Sequence, residues 1–78
     1  MTTVTLTFGG KSQTVDRAVV ESQLVKAEAR IADIAATMAG HRTDRRIGAA
    51  ELATAEQRAA ADIKRFSDIA DACRIALA

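Results

Sequence analysis

The feature that most limits this chain is a change of hydrophobic period at Asp16. Before it, in TVTLTF at residues 3–8, Val4, Leu6 and Phe8 fall on one side and Thr3, Thr5 and Thr7 on the other. A period of two marks a strand with one apolar face. Beyond Asp16, apolar residues recur every three or four positions, which is the helix period. The 78-residue sequence has no proline to cut either pattern short. The fold class expected is α+β, mostly α: an N-terminal β-hairpin at 3–15 followed by an antiparallel two-helix hairpin.

Gly9-Gly10 supplies two residues free to take positive φ, as a two-residue hairpin turn requires. With these two as the loop, Phe8 faces Lys11, Leu6 faces Gln13 and Val4 faces Val15. On the other face Thr7 meets Ser12 and Thr5 meets Thr14, so that face is made entirely of hydroxyl residues. The same stretch, FGGKS, also contains the Gly-Lys-Ser that ends a phosphate-binding loop. That motif needs a glycine where this chain has Thr5, and a helix directly after the Lys-Ser. A second strand follows instead, so no helix N-terminus is aimed at a phosphate, and no cofactor is expected.

Asp16 is placed to cap the first helix, with Val15 and Val20 flanking it as a hydrophobic staple. Helix 1 is expected over 16–39, with Val20, Leu24, Ala27, Ile31, Ile34 and Met38 on one face. A second stripe, Val25, Ala29, Ala32, Ala36 and Ala39, lies on the opposite side. Gly40 suits the left-handed position just past a helix end. A basic turn is then expected over 40–47, with Thr43 or Asp44 capping the next helix. Helix 2 is expected over 48–77, with Leu52, Ala55, Ala59, Ile63, Phe66, Ala70, Cys73 and Leu77 as its stripe. Matched helices joined by a short connection form an antiparallel hairpin. Residues 1–78 therefore read as one domain.

A domain this small, with an alanine-rich core, buries little apolar surface per residue, and self-association is a natural way to complete it. Val20, Leu24, Ile31, Ile34, Met38, Leu52, Ile63 and Phe66 are the side chains expected to carry it. Eleven Lys plus Arg stand against ten Asp plus Glu, so no global field selects nucleic acid, an anionic membrane or acidic substrates. No apolar run reaches the ~20 residues of a membrane span, and the start MTTVTLTFGG lacks the pattern of a secretory signal. A cytoplasmic protein without a membrane association is expected.

Catalytic chemistry finds few candidates. The single Cys73 sits on an apolar stripe, where a thiol behaves as a small hydrophobe. The single His41 lies in the inter-helix segment, and with Asp44 alone beside it provides no metal site. Asp62 with Arg65, and Asp71 with Arg74, are spaced for exposed ion pairs, with Asp62 at the rim of the apolar stripe. No catalytic, cofactor or metal residue is expected, and the chain reads as a non-enzyme.

The one local concentration of charge is His41, Arg42, Arg45 and Arg46 at the tip of the helical hairpin. Guanidiniums suit a carboxylate-rich protein surface or a phosphate backbone. No aromatic residue stands beside them to stack a base, which disfavours nucleic acid.

The order of elements, with ARIADIAATMAG ending the first helix and DRRIGAAELATAEQRAA opening the second, resembles the ZapA-type cell-division proteins over residues 4–61. That resemblance implies a small α/β head that self-associates through helices and acts on filaments of the tubulin-like division protein FtsZ. It also implies a basic contact surface including Arg45 or Arg46. Such proteins continue into a longer coiled-coil stalk, whereas this sequence stops at Ala78. The leading expectation is a homodimeric protein-interaction module, in the manner of a ZapA-like regulator of a cytoskeletal filament. The alternatives are a phage or mobile-element inhibitor that blocks a host or defence complex, and a weak nucleic-acid-binding protein.

Overall fold

Two residues per side chain direction and then 3.6 per turn give the observed order of elements: β1 (Thr3–Phe8), β2 (Lys11–Asp16), α1 (Arg17–Thr43) and α2 (Ala49–Leu77). The computed structural model describes residues 2–78. The strands are antiparallel in the expected register, with Phe8 opposite Lys11, Leu6 opposite Gln13 and Val4 opposite Val15. Gly9 and Gly10 take φ of 61° and 77°, the left-handed region that side chains disfavour. On the hydroxyl face, the Thr7 and Ser12 side chains hydrogen-bond at 2.9 Å. The Arg17 backbone N–H donates to the Thr2 carbonyl at 2.9 Å, closing the open end of the hairpin.

Asp16 ends β2 and caps α1, its carboxylate accepting from the Ala18 N–H at 3.2 Å. Val4, Leu6 and Val15 are half-buried, and β1 lies mainly against α2. The core is a thin seam between the helices: Val20, Ala27 and Met38 from α1, Ala70 and Cys73 from α2 are buried. The rest of the α2 stripe, including Leu52, Ile63, Phe66 and Leu77, is half-buried along the same seam. The second stripe of α1, from Val25 to Ala39, is exposed to solvent. The molecule measures 52 × 21 × 14 Å, and among the described residues no helix is long and apolar enough to cross a membrane.

The segment between the helices differs from expectation. Helix α1 does not stop at Ala39 but runs through Gly40 to Thr43, so His41 and Arg42 belong to its last turn rather than to the connection. Gly40 has no positive φ, and no proline follows to break the helix. Packing decides the matter: Met38 is buried and His41 half-buried against α2, which holds the final turn in place. The basic turn of 40–47 shortens to residues 44–48. Neither Thr43 nor Asp44 caps α2. The Thr43 hydroxyl donates back to the Gly40 carbonyl at 3.0 Å, Asp44 is the C-cap of α1, and Gly48 stands at the N-cap of α2 without a side-chain bond.

The two kinds of glycine should respond to substitution with opposite signs. Gly10→Val forces a β-branched residue into the left-handed region and should cost about 1–2 kcal/mol. Gly40→Ala places a Cβ in open space within a helix and should stabilise by about 0.5–1 kcal/mol. Urea unfolding followed by circular dichroism reads both.

Candidate functional site

Antiparallel helices of this kind leave a furrow on each side of their line of contact, and here the β-hairpin covers only part of one. The hairpin rests over Gln23 of α1 and over Ile69 and Ala72 of α2. Seven-residue steps, two turns along each helix, lead from these positions to Arg30 and Thr37 on α1, to Asp62 and Ala55 on α2, and from Ala72 through Arg65 to Arg58. Arg30, Thr37, Ala55, Arg58 and Asp62 line an open groove of about 640 Å³. The groove is thus the uncovered continuation of the face that carries the hairpin.

Its floor is apolar, made by Ile34, Met38, Ala55 and Ala59. Its rims are charged: Arg30 and Asp33 from α1, Glu51, Arg58 and Asp62 from α2. None of these five forms an ion pair among the described residues. Arg30 instead lies over the Phe66 ring, 5.6 Å from its centre, with Arg65 at 5.0 Å. The expected Asp62–Arg65 pair is absent, and the Arg65 guanidinium stands over Phe66 instead. The expected Asp71–Arg74 pair is present at 2.9 Å, and Arg74 also approaches Glu28 of α1 at 3.8 Å.

The groove charges other than Asp62 do not stand out in the sequence, although their spacing there is regular. Arg30, Asp33, Thr37 and His41, like Glu51, Thr54, Arg58 and Asp62, recur every three or four positions and flank the apolar stripes.

The residues expected at the tip are brought together only in part. Arg42 turns onto α2 and pairs with Glu56 at 3.0 Å. Arg46 folds back on Asp44, its Nε and Nη2 donating to the two carboxylate oxygens, each at 3.1 Å. Arg45 alone of the three has no ion pair among the described residues. His41 lines the groove, with Nδ1 buried and without a hydrogen-bond partner among the described residues. The tip is therefore not a free cluster of three guanidiniums. Arg42 and Arg46 each face a carboxylate, and the potential available to a phosphate backbone falls accordingly.

The eight side chains expected to carry self-association divide in two. Val20 and Met38 are buried within the chain, whereas Leu24, Ile31, Ile34, Leu52, Ile63 and Phe66 keep part of their surface exposed. Cys73 is buried, and burial pushes its thiol up from the ordinary value, the reverse of what a nucleophile needs. Among the described residues, no group of three or more His, Cys, Asp or Glu is placed to hold a metal ion. The chain matches no family model, no curated protein and no solved structure with which it was compared.

The Arg46 guanidinium and backbone N–H both donate to Asp44 and hold its carboxyl below the ordinary carboxylate range. A folded-state pKa below the unfolded one stabilises at higher pH, and that contribution is lost as pH falls through the folded value. Carboxyl titration by NMR should place Asp44 below the ordinary aspartate range. Arg46→Gln should move it upward but not fully to the ordinary range, since the backbone donor remains.

Proposed function

We propose that the chain is a non-enzymatic protein–protein interaction module that works as a homodimer, in the manner of a small regulator of a cytoskeletal filament. The observation that carries the reading is the groove: an apolar floor left open beside a thin core, with charges of both signs that make no pairs of their own. Such a surface suits a macromolecular partner better than a small substrate. It is open, its charged groups are spread over both helices and make no ion pairs with one another, and its apolar residues are the edges of the seam that holds the monomer together. Apolar surface at a rim of unpaired charges is what an interface with a hydrophobic centre and a polar border requires.

The filament part of the reading rests on the resemblance of residues 4–61 to ZapA-type proteins, and Arg45 is the tip residue left free to meet an acidic surface. Buried Cys73 and the lone His41 support a role without catalysis.

Size-exclusion chromatography with light scattering at tens of micromolar should give twice the chain mass of 8.2 kDa. A strict monomer at that concentration overturns the homodimer. Co-sedimentation with filaments of a tubulin-like division protein should increase the pelleted fraction; an unchanged pellet removes the filament from the reading.

A further inference from the structure

The β-hairpin has two edges, and they are not alike. Gly9-Gly10 is a two-residue loop with both φ positive, so Phe8 and Lys11 beside it exchange backbone hydrogen bonds, as do Leu6 with Gln13 and Val4 with Val15. The alternate residues Thr3, Thr5 and Thr7 turn their N–H and C=O groups away from β2. The Thr7 and Ser12 hydroxyls meet at 2.9 Å, as side chains do in a pair without backbone bonds. Among the described residues no third strand joins the sheet, and no backbone bond from outside it reaches Thr3, Thr5 or Thr7. Strand edges are ordinarily blunted by charge, proline or a bulge. β2 carries Lys11 and Asp16, whereas TVTLTF of β1 has no charge, no proline and an unbroken register.

Beside β1 the chain leaves apolar surface uncovered. A hollow there takes its lining from Thr7 and Phe8 of β1, from Gly9, and from α2 with Ala72 and Ile75, and nothing from β2. Phe8 is 47% and Ile75 77% exposed. The carboxylates at its border are already answered, Asp68 by Lys64 and Asp71 by Arg74. Apolar contact is thus on offer next to free backbone donors and acceptors. We propose that β1 takes an extended segment of a partner protein as a third, antiparallel strand. Apolar side chains at alternate positions of that segment face Ala72 and Ile75, and small polar ones continue the hydroxyl face of Thr3, Thr5 and Thr7. This rests on the interaction-module reading above and assigns a surface and a kind of partner.

A row of backbone groups at strand spacing is matched by another extended chain, and antiparallel pairing is the more stable per residue. In that pairing the residues opposite Thr3, Thr5 and Thr7 share their face of the sheet, so their neighbours point to α2. With Asp68 and Asp71 held by cations of α2, the segment is uncharged where it crosses the hollow. A second copy fits less well. Its β1 comes with its own α2 against the same apolar face, on the side where this chain's α2 already stands.

The test titrates the full chain with a short end-capped peptide of alternating threonine and valine, followed by amide NMR. At millimolar peptide the amides of Thr3, Thr5 and Thr7 should shift and gain protection from hydrogen exchange, while Val4 and Leu6, already bonded to β2, keep the protection they have. N-methylating the peptide's threonines removes the N–H groups that face β1 and should weaken binding about tenfold or more. N-methylating its valines, whose N–H groups face away, should leave binding unchanged. Thr5→Pro removes an edge donor where edge strands tolerate proline, and should weaken binding to the same extent with the fold confirmed by circular dichroism. Ile75→Lys, at an exposed site, puts a charge into the hollow and supplies the same reading should Thr5→Pro loosen the hairpin. Absence of shifts at millimolar peptide, or binding insensitive to threonine methylation, overturns the proposal. So does protection of Thr3, Thr5 and Thr7 before peptide is added, which gives the edge to a second copy. Loss of this edge site leaves the homodimer in place, because the mass from light scattering decides that reading separately.

Discussion

The contact between α1 and α2 governs the rest of this molecule, because all the buried side chains among the described residues come from these two helices. The residues removed from water are Val20, Ala27, Met38, Ala70 and Cys73, and two of the five are alanines. Small residues on a helix seam allow close approach of the backbones, but each contributes little apolar area, at roughly 25 cal/mol per Å². The seam is therefore close and narrow. Its flanks, from Leu24 and Ile31 on α1 to Leu52 and Phe66 on α2, are half-buried, and the furrows beside it set where a third layer can sit. The β-hairpin is that layer. A two-stranded sheet is marginal alone in water, and here Val4, Leu6 and Val15 find cover only because the helix pair offers them an apolar furrow.

Electrostatics adds little stability to this frame. The pairs Arg17–Glu21, Lys64–Asp68 and Arg74–Asp71 lie on exposed flanks, where such contacts contribute at most about 1 kcal/mol each. Arg42–Glu56 and Arg74–Glu28 run between α1 and α2, at 3.0 and 3.8 Å. Around the groove the arrangement is different. Arg30, Asp33, Glu51, Arg58 and Asp62 surround apolar surface without neutralising one another, and a field of alternating sign discriminates between partners and orientations better than it adds affinity.

The strand register was legible in the sequence because a single local device determines it. Once Gly9-Gly10 is the loop, every cross-strand partner from Phe8–Lys11 to Val4–Val15 follows. The apolar stripes of both helices were legible for the same kind of reason, as period alone places Val20, Ala27 and Met38 on one face. The end of α1 was not. Gly40 is compatible both with a left-handed cap and with a helix interior, and the choice is made by Met38 and His41 packing on α2, a contact between residues distant in sequence. The groove was hidden for a related reason. Periodicity identifies the seam but not which furrow beside it the hairpin fills. The spacing of Asp62 and Arg65 suits a local ion pair, whereas Arg65 lies over Phe66.

Length explains why a groove remains at all. Strands of six residues reach ~20 Å, whereas helices of 27 and 29 residues run ~40 Å or more. A hairpin of that size, anchored by the Arg17 N–H bond to Thr2 at the start of α1, covers the half of the face near Val20 and Cys73 and ends there. The stretch from Arg30 to His41, with its counterpart from Glu51 to Asp62, has the same relation to the seam but no strand above it. Lengthening the hairpin would cover this surface within one chain and remove the unpaired charges from contact. Short strands on long helices instead divide one continuous face into a half closed by the chain itself and a half that stays open. The open half is where charges of both signs stand unpaired, and the mismatch of lengths that shapes the fold is what leaves it open.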